Sequence, residues 1–280
     1  MRVVVIKHEV DFIKFNPTQN MTILITTNHP SESDQEIASK IMSYDNVNAE
    51  QVGFIKKPNG TEAEARLKMA GGEFCGNACM SLAAFIANEK GVKEKNEILL
   101  EASGTSSIIS CHVERNEDNF DCLLNMPLPE TIEPRTIEYE GEEMEMTVVR
   151  YREFLHIVIE VDQFNERLRN KMEALARLLG LTPGASLIGI LLYKSTTNEM
   201  APLMYVPGLD SLIWERGCGS GTASIGAVLA WKKKGMITAA IKQPGGTMKV
   251  AADYFKEKVT SLTIEGSVGM VAKGKAFITI

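Results

Sequence analysis

Two stretches of the chain, one in each half, repeat the same order of a cysteine, a glycine and an apolar run. The first reads GGEFCGNACMSLAAFIA at residues 71–87, and the second reads CGSGTASIGAVLA at residues 218–230. When the two cysteines are superposed, the glycine that follows, one serine and two alanines are also identical. Neither run has a polar stripe at helical spacing, which predicts a buried helix behind each cysteine. We therefore expect two similar halves, each built around its own central helix.

The chain is long enough for two domains. Its 280 residues can bury two separate cores. We place the boundary at Pro127-Leu128-Pro129, so that the first domain covers residues 1–127 and the second covers residues 128–269. The closing run at residues 273–280 looks like a last strand that crosses back. We therefore assign residues from about 270 to 280 to the first domain.

Local patterns predict the elements of each half. In the first half they predict strands at residues 3–6, 21–27, 65–69, 98–101, 107–113 and 120–126. A capping box, Ser33-Asp34-Gln35-Glu36, predicts the start of a helix. In the second half they predict strands at residues 144–151 and 154–161, and a helix near residues 165–179 that Gly180 ends.

Composition excludes several classes of partner. A net charge of −6 without a basic stripe gives no electrostatic hold on nucleic acid. No stretch approaches about 18 uncharged apolar residues, and the apolar run at residues 3–6 is too short for the apolar region of a secretory signal. We therefore expect no membrane contact. The number of cysteines is odd, at five, which favours reduced thiols in the cytoplasm over a disulfide framework. Cys111 and Cys122, inside strand-like runs, are expected in the core.

The paired cysteines indicate acid–base chemistry at a carbon atom. A cysteine at a helix start lies beside unpaired backbone N–H groups and the positive end of the helix dipole, which favours the thiolate. A pair of such groups can hold one thiolate and one thiol. If Cys75 and Cys218 face one cleft, one removes a proton from a carbon centre and the other delivers a proton to its opposite face. This arrangement inverts the configuration of that carbon.

The glycines beside the cysteines fit an anionic substrate. Because Gly76, Gly219 and Gly221 lack a Cβ atom, backbone N–H groups of both helix starts can approach an anion closely. A substrate carboxylate fits, since it takes up negative charge as the α-proton leaves. This chemistry requires neither a Schiff-base lysine nor a phosphate-binding loop, and we expect no cofactor, although lysine placement alone does not exclude pyridoxal phosphate. Without a second His or Cys pair at ligand spacing, we also expect no metal.

Five motifs, spread in order over nearly the whole chain, resemble the diaminopimelate epimerase superfamily. They are KFNPTQNMTILI near the start, EQVGF at 50–54, EFCGNA at 73–78, WERGCGSGTASIG at 214–226 and QPGG at 243–246. The resemblance implies a cofactor-independent two-base racemase or epimerase. It also implies an α/β (α+β) fold of two pseudo-symmetric domains, each a mainly antiparallel sheet or barrel around a central buried helix, with the active site in the cleft between them. Cys75 and Cys218 match its two catalytic cysteines.

Within the superfamily, the chain is most similar to the histidine racemases of staphylopine-type metallophore biosynthesis. Diaminopimelate epimerases usually carry a Gly-x-Gly-Asn-Asp-type turn where this chain has PTQNM at 17–21, and Asn-Pro-His where it has FLH at 154–156. These departures remove polar groups expected to hold a second amino-acid centre. By resemblance, Glu50 pairs with the ammonium or imidazole group of the substrate. The expected substrate-binding residues are Asn20, Glu50, Gln51, Gly76, Asn77, Gly219, Ser220 and Gly221.

Other interpretations stay open at this point. A diaminopimelate epimerase, or a racemase of another amino acid, would use the same chemistry. A two-domain protein could instead bind an amino acid without reaction, or sense redox state through the two thiols. His156 is expected to be a hydrogen-bonded strand histidine. The resemblance also suggests a homodimer.

Overall fold

The computed structural model describes residues 7–181 and 186–280. Over these residues the chain forms sixteen strands and four α-helices. The strands are β1 (Lys7–Pro17), β2 (Thr22–Ile25), β3 (Gln51–Lys56), β4 (Ala65–Met69), β5 (Asn96–Ala102), β6 (Ile109–Asn116), β7 (Asn119–Asn125), β8 (Thr131–Tyr139), β9 (Glu142–Arg150), β10 (Phe154–Glu160), β11 (Leu187–Lys194), β12 (Glu199–Val206), β13 (Ser211–Trp214), β14 (Ile237–Gln243), β15 (Gly246–Phe255) and β16 (Lys258–Thr279). The α-helices are α1 (Asp34–Met42), α2 (Gly76–Glu89), α3 (Glu166–Gly180) and α4 (Gly219–Lys233). The strand predicted at residues 3–6 lies outside the described residues.

One long strand connects the two parts of the sheet. Neighbouring strands follow the order β1-β2-β3-β4-β5-β6-β7-β16-β15-β14-β12-β11-β10-β9-β8, and β13 pairs with β12. β16 is antiparallel to β15 and β7, and its last part is antiparallel to β1, from Lys7 opposite Thr279 to Pro17 opposite Val268. The closing run at residues 273–280 thus lies mostly within a strand that pairs with β1. The boundary between two domains stays a prediction.

The two halves repeat one order of elements. In the first half, α1 connects the parallel strands β2 and β3, and α2 connects the parallel strands β4 and β5. In the second half, α3 connects the parallel strands β10 and β11, and α4 precedes β14, which pairs in parallel with β12. A helix is the usual connection here, because the chain must return to the same end of the sheet before a parallel strand can begin. Cys75 and Cys218 therefore occupy equivalent positions, each at the start of the second crossover helix of its half.

The two cysteine helices are buried, as their composition predicts. Ten residues of the 14 in α2 and eleven of the 15 in α4 are buried. By contrast, α3 buries only Met172, Leu175 and Ala176 and covers the sheet from outside. A Cβ atom at Gly226 would lie 2.3 Å from Val250 Cγ2, so α4 packs directly on β15. Within the described ranges, none of the helices has the length and apolar character needed to cross a lipid bilayer.

The predicted capping box of α1 is wrong, although the helix begins at Asp34. A 3₁₀ helix at Ser31–Ser33 runs directly into α1, so Ser33 already has a helical backbone (φ −88°, ψ −10°) and its side chain makes no cap hydrogen bond. A capping serine needs an extended backbone to turn its hydroxyl towards the first N–H groups. Asp34 is buried and pairs with Lys68 at 2.9 Å, which ties this end of α1 to the sheet.

Candidate active site

Cys75 and Cys218 are the N-caps of the two buried helices. Cys75 has an extended backbone (φ −133°, ψ 109°), and its Sγ accepts a hydrogen bond from the Ala78 N–H at 3.3 Å. Cys218 repeats this geometry (φ −123°, ψ 111°) and accepts from the Gly221 N–H at 3.3 Å. Both cysteines line one pocket, which residues of both halves enclose. All five cysteines are free thiols.

The two helix starts approach each other closely at this pocket. A Cβ atom at Gly219 would lie 3.1 Å from Asn77 Oδ1 and 2.9 Å from Ile264 Cδ1. The same Ile264 atom lies 3.4 Å from the position that a Cβ of Gly76 would take. Ile264 belongs to β16, so the strand that connects the two parts of the sheet also supports both helix starts. Small residues at 76 and 219 make this approach sterically possible.

Two amide side chains of the first half hold the backbone before the second thiol. Asn20 Nδ2 donates to the Gly217 carbonyl at 2.6 Å, and Asn77 Nδ2 donates to the same oxygen at 2.7 Å. Gly217 immediately precedes Cys218, so these contacts position the second thiol relative to the first half. Both asparagines were expected to contact substrate, and their donor groups are here engaged within the protein.

Two glutamines support the cysteines from behind. Gln51 Nε2 donates to Asn20 Oδ1 and Thr22 Oγ1 at 2.8 and 2.9 Å, which turns Oε1 towards Cys75. This Oε1 accepts from the Cys75 thiol at 2.8 Å.

In the second half, Gln243 supports Cys218 as Gln51 supports Cys75. Its Oε1 accepts from the Cys218 N–H at 2.6 Å, and its Nε2 donates to Thr222 Oγ1 at 2.9 Å. The sequence singles out Gln243 only as the first residue of the QPGG motif at 243–246, whose proline and glycines are typical of a turn. That turn forms between β14 and β15, but the buried glutamine side chain at its start also fixes the active-site backbone.

Three glutamates line the pocket: Glu50, Glu73 and Glu215. The described lining residues include no lysine, arginine or histidine. One carboxylate oxygen of Glu50 and one of Glu73 are buried without a hydrogen-bond partner. Across residues 7–181 and 186–280, no three His, Cys, Asp or Glu side chains are arranged to hold a metal ion. The pocket thus presents acidic groups that are suited to an organic cation.

Burial raises the pKa of each of these three glutamates to about 7. For Glu50, the backbone N–H and the positive charge of Arg216 act in the opposite direction. For Glu215, the nearby polar side chains of Cys218 and Asn20 lower the pKa, while the charges of the other two glutamates raise it. Each of the three carboxyl groups therefore changes between its protonated and its ionised form near neutral pH.

The expectation of a lowered thiol pKa is wrong for this structure. Burial raises the pKa of Cys75 and of Cys218 well above the usual range, and the negative charge of Glu215 raises both further. The N–H groups of Ala78 and Gly221 act in the expected direction but are outweighed by burial. Removing a thiolate from water costs more free energy than a helix start returns. Both groups are thiols here.

A family model described as the histidine racemase CntK N-terminal domain matches residues 9–277. The histidine racemase of Staphylococcus aureus is 31% identical over 274 residues, which cover 96% of this chain and 98% of the relative. The chain belongs to the histidine racemase family. A histidine racemase of Fusobacterium nucleatum is also 31% identical, over 271 residues that cover 96% of this chain and 97% of the relative. The chain is accordingly an amino-acid racemase, which is an isomerase.

Solved structures agree with the fold that the histidine racemase family implies. A hydroxyproline epimerase from Agrobacterium vitis with bound trans-4-hydroxy-L-proline superposes with a TM-score of 0.75 at 10% identity, covering 97% of this chain and 93% of its own. A phenazine biosynthesis protein of the PhzF family from Bacillus anthracis has a TM-score of 0.64 at 14% identity, covering 96% and 99%. At these identities the likeness concerns the fold, which is mixed α/β and dominated by its sheet.

Six of the eight expected binding residues line the pocket of this histidine racemase family member. They are Glu50, Gln51, Gly76, Asn77, Gly219 and Ser220. Asn20 holds the backbone behind the pocket, and the Gly221 N–H is taken by Cys218. Sequence reasoning did not single out Glu73 or Glu215 as ligands, although each lies within three residues of a cysteine that opens a buried helix.

His156 lies outside the pocket lining, in the core. Its Nδ1 is 2.7 Å from Ser224 Oγ, which also contacts the Tyr151 hydroxyl at 2.8 Å. Burial lowers the pKa of His156 to about 3, so the ring is neutral. The expectation of a hydrogen-bonded strand histidine is confirmed for its Nδ1 atom. Cys111 and Cys122 are likewise buried in the core, as expected.

Proposed function

We propose that this chain racemises histidine by a two-base mechanism that uses the thiols of Cys75 and Cys218 and no cofactor. The observation that carries the proposal is that two cysteines in equivalent positions of a repeated fold, each the N-cap of a buried helix, line a single pocket. An equivalent pair of this kind can serve two opposite faces of one carbon atom. The histidine racemases that resemble the chain over nearly its whole length support histidine as the substrate.

The first turns of the two helices suit the carboxylate of an amino acid. Helix starts present unpaired N–H groups and a partial positive charge, and Gly76 and Gly219 have no Cβ atom to obstruct them. As the Cα proton leaves, negative charge moves into this carboxylate. Donors already fixed around it by Ile264 and the amide contacts stabilise that charge without rearranging.

The glutamates supply the counter-charge for the substrate ammonium group. The negative charge of Glu215 raises the pKa of both the Cys218 and the Cys75 thiol. An ammonium group bound near Glu215 and Glu50 offsets that charge. It thereby lowers the cost of forming a thiolate at either cysteine.

The reaction then needs only proton transfers. One thiolate takes the Cα proton, the Cα–H bond breaks, and its electron pair is shared with the substrate carboxylate. The thiol on the opposite side donates its proton to the other face of Cα, which gives the enantiomer and leaves that sulfur as the thiolate. The reverse reaction uses the same two groups with exchanged roles.

Proton NMR in D2O tests the proposal directly. L-histidine is incubated with the purified, reduced protein without added cofactor, and loss of the Cα proton signal is followed together with the appearance of D-histidine on a chiral column. Exchange with formation of D-histidine is the expected result. Diaminopimelate and a panel of other amino acids test the substrate, and the double variant C75S/C218S provides the background rate. Absence of exchange with every amino acid would overturn the proposal.

A further inference from the structure

The carboxyl group of Glu73 has an unusual position in the pocket. Its side chain is only 7% exposed, it lines the pocket, and its Oε2 atom is buried without a hydrogen-bond partner. A Cβ atom at Gly71 would lie 2.6 Å from this Oε2 and also 2.6 Å from Val206 Cγ1. The free oxygen therefore lies beside an apolar side chain, in space that the glycine leaves open.

The pocket that Glu73 lines also has many apolar side chains, which are Met42, Val52, Ala70, Phe74, Leu187, Met204, Val206, Leu209 and Ile213. Of these, Val206 lies near the Glu73 carboxyl group. A buried carboxyl oxygen without a partner costs free energy, and apolar neighbours cannot recover it. A hydrogen-bond donor on a largely apolar group of the bound molecule would give this oxygen the partner that it lacks.

Glu50 also has one buried carboxylate oxygen without a hydrogen-bond partner, but charged or polar side chains of the protein act on both Glu50 and Glu215. Arg216 lowers the pKa of Glu50, and Cys218 and Asn20 lower that of Glu215. For Glu73, only backbone N–H groups of residues 71 and 73 act in this way. The charge of Glu73 also raises the pKa of Cys75, but by less than the charge of Glu215 does. Glu73 is thus a less direct influence on the reacting sulfur than Glu215, which fits a contact with the substrate side chain.

We infer that Glu73 determines specificity by accepting a hydrogen bond from a ring N–H of the substrate imidazole, while the ring packs on apolar side chains of the pocket, including Val206. The inference rests on the proposed function, since it concerns the side chain of the same substrate. The residue selects side chains that combine a flat ring with an N–H donor. A ring of the same size without that donor leaves the carboxyl oxygen buried and unpaired.

Two variants of Glu73 and a matched pair of substrates test this role. β-(2-thienyl)alanine has a five-membered ring of similar size and no ring N–H. We expect the wild-type protein to prefer histidine. Glu73→Leu, which removes the acceptor, should lower kcat/KM for histidine by about 10- to 100-fold, mainly through KM, and leave thienylalanine nearly unaffected. Glu73→Gln, which keeps a carbonyl acceptor without the charge, should fall between. The exposed Glu62→Gln provides a matched control.

A purely structural role for Glu73 would change both substrates alike, and that result would overturn the inference. A second measurement needs no variant: methylation of one ring nitrogen should reduce turnover at least about tenfold for one of the two N-methylhistidines. Equal turnover of both methylated forms and of histidine would also overturn it. If the wild-type protein shows no Cα exchange with histidine, the proposed function has failed; if it exchanges histidine but Glu73→Leu keeps the preference, only this inference has failed.

Discussion

The Oε1 atom of Gln51 accepts a hydrogen bond from the Cys75 thiol at 2.8 Å, and the same amide is fixed at its other end by Asn20 and Thr22. The donors of this amide are both used, so its oxygen is held towards the sulfur and favours the protonated thiol. The Cys218 thiol instead contacts the Ser220 hydroxyl at 3.5 Å, and the negative charge of Glu215 raises its pKa. Although the two cysteines are equivalent in the fold, their immediate partners differ: an amide oxygen for Cys75 and a hydroxyl for Cys218.

Gln51→Leu should lower kcat for histidine about tenfold, because the thiol loses a hydrogen bond that is worth about 1 kcal/mol and its orientation with it. KM should change little, since the contact is to the enzyme thiol. Steady-state kinetics by polarimetry measure both constants. Thr22→Val is the matched control: it removes one acceptor from the same amide but leaves the contact with Cys75, and it should cost less than Gln51→Leu. Equal losses in the two variants would contradict this role.

Cys75→Ser and Cys218→Ser should each reduce racemisation at least about a thousandfold while leaving the fold intact. A serine hydroxyl is a much weaker acid than a thiol, but it is a preferred helix N-cap and can accept from the same N–H groups. Chiral chromatography measures turnover, and the thermal midpoint measures folding. Full racemisation by both variants would refute the two-base mechanism. Cys111→Ser, in the core, controls for general effects of thiol removal.

Most of the features that the sequence predicted correctly follow from the two repeated cysteine runs. Their apolar composition predicts two buried helices, and their glycines predict close approach at the helix starts, because these features depend on local chemistry. The pattern at Ala65–Met69 likewise predicts a half-buried strand, since alternation reports which face meets the core. Strand β1 was not predicted. It pairs with the neighbouring β2 only at residues 12–15, and along its whole length with β16 near the far end of the sequence, a partner that local patterns do not specify.

The protonation state of the thiols could not be predicted for a similar reason. A helix start lowers a thiol pKa, and that effect is visible in the sequence. The opposing effects depend on the complete fold: burial by both halves, and the charge of Glu215 acting on Cys75 across the pocket. Gln243 was missed in the same way, because only the fold shows that its side chain reaches the Cys218 backbone. Local chemistry thus identified the two cysteines that line the pocket, and tertiary contacts determine their protonation state.

Gly217→Ala should destabilise the protein and lower its activity. A Cβ atom there would lie 2.3 Å from the Thr18 carbonyl oxygen, a backbone atom that cannot move aside as a flexible side chain can. Relieving this contact displaces either the loop at Thr18 or the backbone that carries Cys218, at a cost of about 1–3 kcal/mol. Urea unfolding measures the stability. Gly235→Ala is the control, because no atom lies within 4 Å of its added Cβ. Equal free energies of unfolding for the two variants would show that the loop at Thr18 moves aside without destabilising the protein.

The stability of the protein without substrate should fall as pH rises from about 5 to 8, and Glu73 should account for part of that fall. Its pKa is raised by burial from an ordinary 4.5 to about 7. The folded protein therefore binds this proton more tightly than the unfolded chain does. The stability that it contributes is fully present below about pH 4.5 and is lost as the pH rises through 7.

Glu73→Gln should flatten this dependence, because the amide stays neutral across the whole range. At about 1.4 kcal/mol for each unit of pKa, the difference between pH 5 and pH 8 should shrink by at most about 3 kcal/mol. Urea unfolding at the two pH values measures it, with Glu62→Gln as a matched surface control that should keep the wild-type slope. Glu50 and Glu215 also face the pocket and have a raised pKa, so a reduced slope should persist in the variant. A slope unchanged by Glu73→Gln would mean that this carboxyl group is already ionised in the folded protein at pH 5, and that burial does not hold its proton.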